Sequence, residues 1–221
     1  MKQTIKELIA VIVVFFILLV AWYGSYLPMR KAQIYISTLQ NMQANPVTSV
    51  ADLENRLSVP LDYSSPIGQE ELVRNMATSV LGFVQQSTDA STTANLIDFT
   101  TKYFEPILSK EKGMSFGQDV YLMGMINEIA FTKTMDSQFL LNAQKYYSEA
   151  VKLGPNRPQG LYGLFDVYNI EKNIPQAEAI GKRILHNWPS DTNVASAFVL
   201  LEKEASSTQN STTSISTTTI K

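Results

Sequence analysis

Residues 142–162 read NAQKYYSEAVKLGPNRPQGLY, and the spacing of Ala143, Tyr147, Ala150 and Pro155 within this stretch decides the fold. On a helix with about 3.6 residues per turn these first three residues share one face. Two antiparallel helices touch only where that face is small, which the alanines provide, and a tyrosine ring a turn away fills the wider gap. Pro155 cannot extend the helix. Pro158 suits the first turn of the next one, where its missing N–H would have no intrahelical partner anyway. The stretch therefore predicts a helix, a tight junction and a second helix folded back on the first.

The same marks recur further on. Ala177 lies 34 residues beyond Ala143, and Pro189 lies 34 beyond Pro155. A 34-residue helix–turn–helix period with alanine, aromatic, alanine and proline resembles the tetratricopeptide repeat, or TPR. The second helix of the first repeat matches that pattern at all four places. Its first helix departs, with Asn127, Ala130, Phe131 and Thr134 where the family favours Trp, Leu, Gly and Tyr. The second repeat starts near Pro158, with Leu161, Leu164 and Tyr168 at the first-helix positions. Phe165 stands where glycine is usual and Gly181 where a large aromatic is usual, which predicts that the Phe165 ring fills space left by Gly181. The resemblance covers Phe116 to Glu204. A segment from Thr192 to Glu204, capped by Asp191 or Ser190, is expected to be the next helix or to close the stack.

The resemblance also implies a site. In TPR proteins the first helices line a concave groove at the second, fifth, ninth and twelfth repeat positions. Carried onto this chain, these are Gln159, Tyr162, Asp166 and Asn169 in the second repeat and Glu128 in the first. Such a groove is polar to acidic with an aromatic anchor, and it lacks the basic residues of a clamp for a C-terminal carboxylate.

Working outward to the N-terminus, Leu8 to Leu27 is a run of twenty residues without a charge. At about 1.5 Å per residue it spans about 30 Å, the hydrocarbon thickness of a bilayer. Trp22, Tyr23 and Tyr26 cluster at its end, where amphipathic rings favour the membrane–water interface. A cleavable signal peptide carries a shorter apolar region and a small-x-small cut site. Here a cut after Ala21 has Leu19 at the outer position, so an uncleaved signal anchor is expected. The start resembles a type IV pilin leader, but Lys2 occupies the place of the glycine that pilins need. Lys2 and Lys6 on one side and Arg30 and Lys31 on the other give a near-balanced charge count. The short leading segment favours a cytoplasmic N-terminus with the C-terminal domain outside.

Between these regions the composition is helical. Pro28 follows the span and is expected to kink it. Asn45-Pro46 marks a break, followed by a short helix over Val50 to Leu57 and a loop through PLDYSSPIG (60–68), with Ser65 as the start of the next helix. Leu72, Met76, Val80 and Phe83 or Val84 form one apolar stripe over 69–86. STDASTT (87–93) reads as a polar connector, 94–108 as a helix ended or bent by Pro106, 110–115 as a loop and 116–134 as a long helix. No alternating strand pattern is present, so the fold class is all-α: an N-terminal transmembrane helix followed by helical hairpins in a TPR-like α-solenoid. The expected divisions are 1–28 as signal anchor, 29–115 as helical linker and divergent helices, 116–205 as repeats with a capping helix, and 206–221 as a disordered Ser/Thr-rich tail.

Composition excludes several classes of function. The 221 residues carry 18 basic and 20 acidic groups and no cysteine, which leaves no basic face for nucleic acid and no thiolate chemistry. His186 is the single histidine, so histidine-rich metal sites and most histidine-based triads are unavailable. Its place near a helix end suits the dipole. Glu70-Glu71 and Asp166-Glu171 have the spacing of solvated helix faces, and no phosphate-binding glycine loop, GxSxG or HExxH is present. Gly160 and Gly163 flank Tyr162, where close helix packing explains them. No enzyme, cofactor or metal site is expected.

A second resemblance spans more of the chain. A membrane helix, then YSSPIGQEELVRNMA, then AVKLGPNRPQ looks like the C-terminal region of bacterial O-antigen ligase-like polytopic proteins, which carry an extracytoplasmic TPR segment. The single span departs from that family, and its glycosyl-transfer machinery has no positions here. Together the resemblances imply a single-pass scaffold on the cytoplasmic membrane that docks a protein partner in the bacterial envelope, such as a polytopic glycan-assembly protein. The alternative is an accessory or regulatory subunit of a glycan-assembly enzyme.

Overall fold

The computed structural model describes residues 2–113 and 115–201; the Ser/Thr-rich tail lies outside them. No strand occurs among the described residues, which are 83% helical. The chain divides into two compact units, Met1–Glu111 and Lys112–Lys221.

The first unit opens with α1 (Lys2–Ala21), which runs through a π-turn at Trp22–Tyr26 into α2 (Leu27–Ala44). The helix runs on through Pro28, and the 42-residue helix Gln3–Ala44 is continuous. Proline lacks an N–H and crowds the carbonyl four residues earlier, that of Gly24. The turn widens just there, with the Leu27 N–H bonding back to the Trp22 carbonyl, so the backbone absorbs Pro28 without ending. This helix is long and apolar enough to cross a membrane. Its apolar side chains are open on every side, with Leu8, Phe15 and Leu18 each more than half exposed.

Three further helices complete this unit: α3 (Val50–Asp62), α4 (Gln69–Gln86) and α5 (Ala90–Leu108). The helix expected to end at Leu57 continues to Asp62, because Leu53, Leu57, Pro60 and Leu61 form one buried stripe that carries it past Pro60. Ser65 does not start α4. Its hydroxyl donates to the Ile67 carbonyl, and Gly68, at φ 87°, takes the cap position in a left-handed conformation that other residues rarely adopt. The expected connector 87–93 shortens, because the Asp89 side chain accepts the Thr92 N–H at 2.6 Å and opens α5 at Ala90. Pro106 sits in the last turn of α5, which ends two residues later.

Two polar ties hold α2 and α5 onto α3. Lys31 is buried, and its ammonium donates to the Tyr63 carbonyl at 2.7 Å, to the Leu61 carbonyl and to Gln69 Oε1. Burial lowers its pKa, and the neighbouring Asp62 carboxylate works against that. Asp62 in turn accepts the Tyr103 hydroxyl at 2.9 Å.

The second unit is a run of antiparallel helices: α6 (Phe116–Thr134), α7 (Ser137–Leu153), α8 (Pro158–Ile170), α9 (Ile174–Asn187) and α10 (Thr192–Leu201). Met135 turns the chain at φ 56° and Asp136 caps α7 through the Gln138 N–H. The two-residue link leaves α6 and α7 no option but to fold back on each other. Ala143, Tyr147 and Ala150 are all buried, and α8 starts at Pro158. Gly160 lies against Ala150 and Val151, so α7 and α8 approach closely. Phe165 and Phe198 both pack on Gly181, where a Cβ would stand 3.0 Å from each ring, so the Phe165–Gly181 exchange is joined by a ring from α10. Asp191 caps α10, accepting the Asn193 and Val194 N–H groups at 3.0 Å each.

Candidate functional site

Tyr147 organises the second unit. A Cβ at residue 124 would stand 2.6 Å from its ring, and a Cβ at residue 163 would stand 2.4 Å from it. The ring from α7 is thus held between α6 and α8 at two positions where only hydrogen fits. It is 2% exposed, yet its hydroxyl donates to Glu128 Oε2 at 2.6 Å. The side chain passes between the two helices and ends at the Glu128 carboxylate on α6.

Glu128 on α6 accepts this hydroxyl, and the charge of Asp166 on α8 acts on it from nearby. Burial raises the Glu128 pKa, and the bond from Tyr147 partly offsets that. Asp166 reaches solvent, but the surrounding helices strip part of its hydration and the charge of Glu128 adds to the effect, so its pKa is pushed up to about 6. Burial first, and then the Glu128 charge, raise the Tyr147 and Tyr121 hydroxyls. The Tyr121 ring lies 5.9 Å from that of Tyr147. From Tyr121 a cleft of about 480 Å³ runs along the two helices past Gln118, Gln159 and Arg157, floored by Ala150 and Gly160.

The five residues expected to line a groove are thus placed as follows. Glu128 is bonded to Tyr147, and Asp166 is exposed and within reach of the Glu128 charge. Gln159 is exposed and borders the cleft. Asn169 is half-buried, one turn beyond Asp166 on the same face of α8. Tyr162 is turned toward α10: its hydroxyl donates to Asp191 Oδ2 and its ring lies 6.0 Å from Trp188. That bond, with burial second, pushes the Tyr162 pKa up to about 12, and it holds Asp191 below the usual carboxylate range. Tyr162 therefore fixes the start of the next helix instead of standing free as an anchor.

Tyr121, Gln118, Arg157 and the hydroxyl of Tyr147 were not marked by the repeat pattern. The signal in the sequence is the series Gly117, Tyr121, Gly124, Glu128, which follows one helix face at four- and three-residue steps. Among the described residues no group of three or more His, Cys, Asp or Glu side chains is arranged to hold a metal ion. No protein-family profile matches the chain, and no curated protein or solved structure is significantly similar to it.

Proposed function

We propose that the chain is a single-pass membrane-anchored scaffold of TPR type that docks a protein partner at the bacterial cell envelope, with its helical domain on the outer side of the cytoplasmic membrane. The observation that carries this reading is the pairing of α6 and α8 through Tyr147. It sets two first helices side by side and leaves their polar faces, with the cleft between them, open to solvent. The apolar run 8–27, open from residue 8 to residue 26, supports attachment to a membrane. A polar groove along stacked helical hairpins is suited to docking.

The test is crosslinking in membranes, solubilisation in mild detergent and identification of co-purifying proteins by mass spectrometry. A reproducible partner whose crosslinks map to α6 and α8 is the expected result. Recovery of the chain alone after crosslinking refutes the docking function. A glycosyltransferase as that partner would select the accessory-subunit version of the same reading. Protease treatment of spheroplasts checks the topology, and a protected helical domain refutes the external placement.

A further inference from the structure

Arg157 sets the chemistry of the cleft between α6 and α8. Of the five arginines in the chain, Arg30, Arg56, Arg74 and Arg183 each donate from the guanidinium to an acceptor within it. Arg157 alone has no side-chain hydrogen bond or ion pair among the described residues. Its stem is held all the same. A Cβ on Gly154 would stand 2.6 Å from its Cδ, and one on Gly117 would stand 3.3 Å from its Nη1. The side chain thus lies along two positions that carry none of their own, and its exposed guanidinium ends at the cleft with its donors uncommitted. It is the only charged group lining that cleft of about 480 Å³, so nothing on the lining repels an anion. The flanking Gln118 and Gln159 carry amides, which can donate to and accept from peptide groups. Beneath them Ala150 and Gly160 make a floor without large side chains, bordered by Tyr121 and Pro158, which leaves depth for one apolar side chain.

We propose, resting on the docking reading above, that this cleft takes an extended segment of the partner in which a glutamate or aspartate lies two positions from a large apolar residue. Side chains two apart in an extended chain point the same way, about 7 Å from each other, so both enter the cleft. The carboxylate meets the Arg157 guanidinium, whose fork of N–H donors matches it. The apolar side chain settles on Ala150 and Gly160, and the peptide groups lie over Gln118 and Gln159. Charge complementarity selects this occupant. A basic segment would be repelled by Arg157, and a purely apolar one would gain nothing from it.

The test uses the full chain in detergent micelles and fluorescence anisotropy with labelled decapeptides blocked at both ends. One set carries glutamate and leucine two apart at its centre, one has glutamine for the glutamate, and one has serine for the leucine. A fourth has the glutamine but a free C-terminal carboxylate. Binding by the first set, and about tenfold weaker binding by each of the others, is expected. Arg157→Gln, at an exposed position, should leave the unfolding midpoint in place and remove the advantage of the glutamate set over the glutamine set. Lys152→Gln, at a cation paired with Glu149 on α7, should preserve that advantage. Equal binding of the glutamate and glutamine sets, the same loss in both variants, or tightest binding by the fourth set overturns the proposal. Self-association of the chain that Arg157→Gln abolishes also overturns it, because a second copy is then the occupant. Capture of a partner in membranes with no glutamate-dependent peptide binding overturns this inference and leaves the docking function standing. Absence of any partner overturns the docking function itself.

Discussion

Gly163→Ala is the sharpest perturbation the structure offers. Alanine is the better helix former, so at an unobstructed helical glycine the change gains about 1 kcal/mol. At residue 163 the new Cβ would meet Tyr147 Cζ at 2.4 Å, Cε1 at 2.5 Å and Cε2 at 2.6 Å. The ring cannot retreat, because on its far side the position of a Cβ on Gly124 is already 2.6 Å from Cδ1. Overpacking at such a site costs typically 1–3 kcal/mol, and a ring pinned on both faces belongs at the upper end. The net loss is then about 2 kcal/mol, or roughly 8–16 °C in the unfolding midpoint of a domain of this size. The assay is thermal unfolding by far-UV circular dichroism of the detergent-solubilised chain, with two controls. Gly82→Ala in α4, where no heavy atom outside the local helix lies within 4 Å of the new Cβ, should be neutral or stabilising. In a Tyr147→Ala background, where the ring is gone, Gly163→Ala should stabilise. A rise in midpoint for Gly163→Ala alone, or the same penalty with and without the ring, would refute the account of Tyr147 as a side chain clasped between two helices.

Three further outcomes are expected. Asp166→Asn should stabilise the second unit at neutral pH. Partial burial, and then the charge of Glu128, raise its folded pKa to about 6, above the ordinary 3.8, so the native state holds the extra proton and loses stability as pH rises through that window. The shift taken whole corresponds to about 3 kcal/mol, which solvent screening at this exposed side chain reduces to about 1 kcal/mol; the gain should be present at pH 7.5 and absent at pH 3, and a gain independent of pH would contradict it. Lys31→Met strips the donor from Leu61 O, Tyr63 O and Gln69 Oε1 at an expected cost of about 2 kcal/mol, read as faster proteolysis within residues 63–68; unchanged cleavage would count against the tie. Gly181→Phe drives a ring into Phe165 and Phe198, each already 3.0 Å from a Cβ there, and should lower stability by about 3 kcal/mol; an unshifted unfolding midpoint would show that the site has room.

Much of this architecture could be read directly from residue spacing. The stripe Leu72, Met76, Val80 and the run 116–134 gave helices with the observed bounds, because one apolar face per helix is enough to define a segment. The small residues Ala143 and Ala150 marked helix contacts for the same reason. Helix starts were harder. Ser65 and Asp89 are both good caps, and what separates them is the left-handed Gly68 in one case and an accessible Thr92 N–H in the other. Neither choice is visible until the backbone is laid down. Tyr147 shows the larger limit. Its place between two alanines marks it as a filler between α7 and one neighbour, but its extension past Gly124 and Gly163 to Glu128 depends on three helices at once. Tyr162 is the converse: the repeat position marks it for the groove, and a bond to Asp191, 29 positions along the chain, takes it elsewhere.

The widened turn at Trp22–Tyr26 has a consequence for azimuth. A π-turn takes in one residue more than the regular spiral allows, and one residue is worth about 100° of rotation about the axis. The side of α2 that carries Lys31 and Tyr35 into the packed helices is therefore out of phase, by about that angle, with the side of α1 that regular winding would have placed above it. Whatever grips the apolar segment within a bilayer thereby sets the compass direction in which α3 is presented, and deleting one residue from that turn would swing the domain around the helix axis while leaving every contact inside it intact.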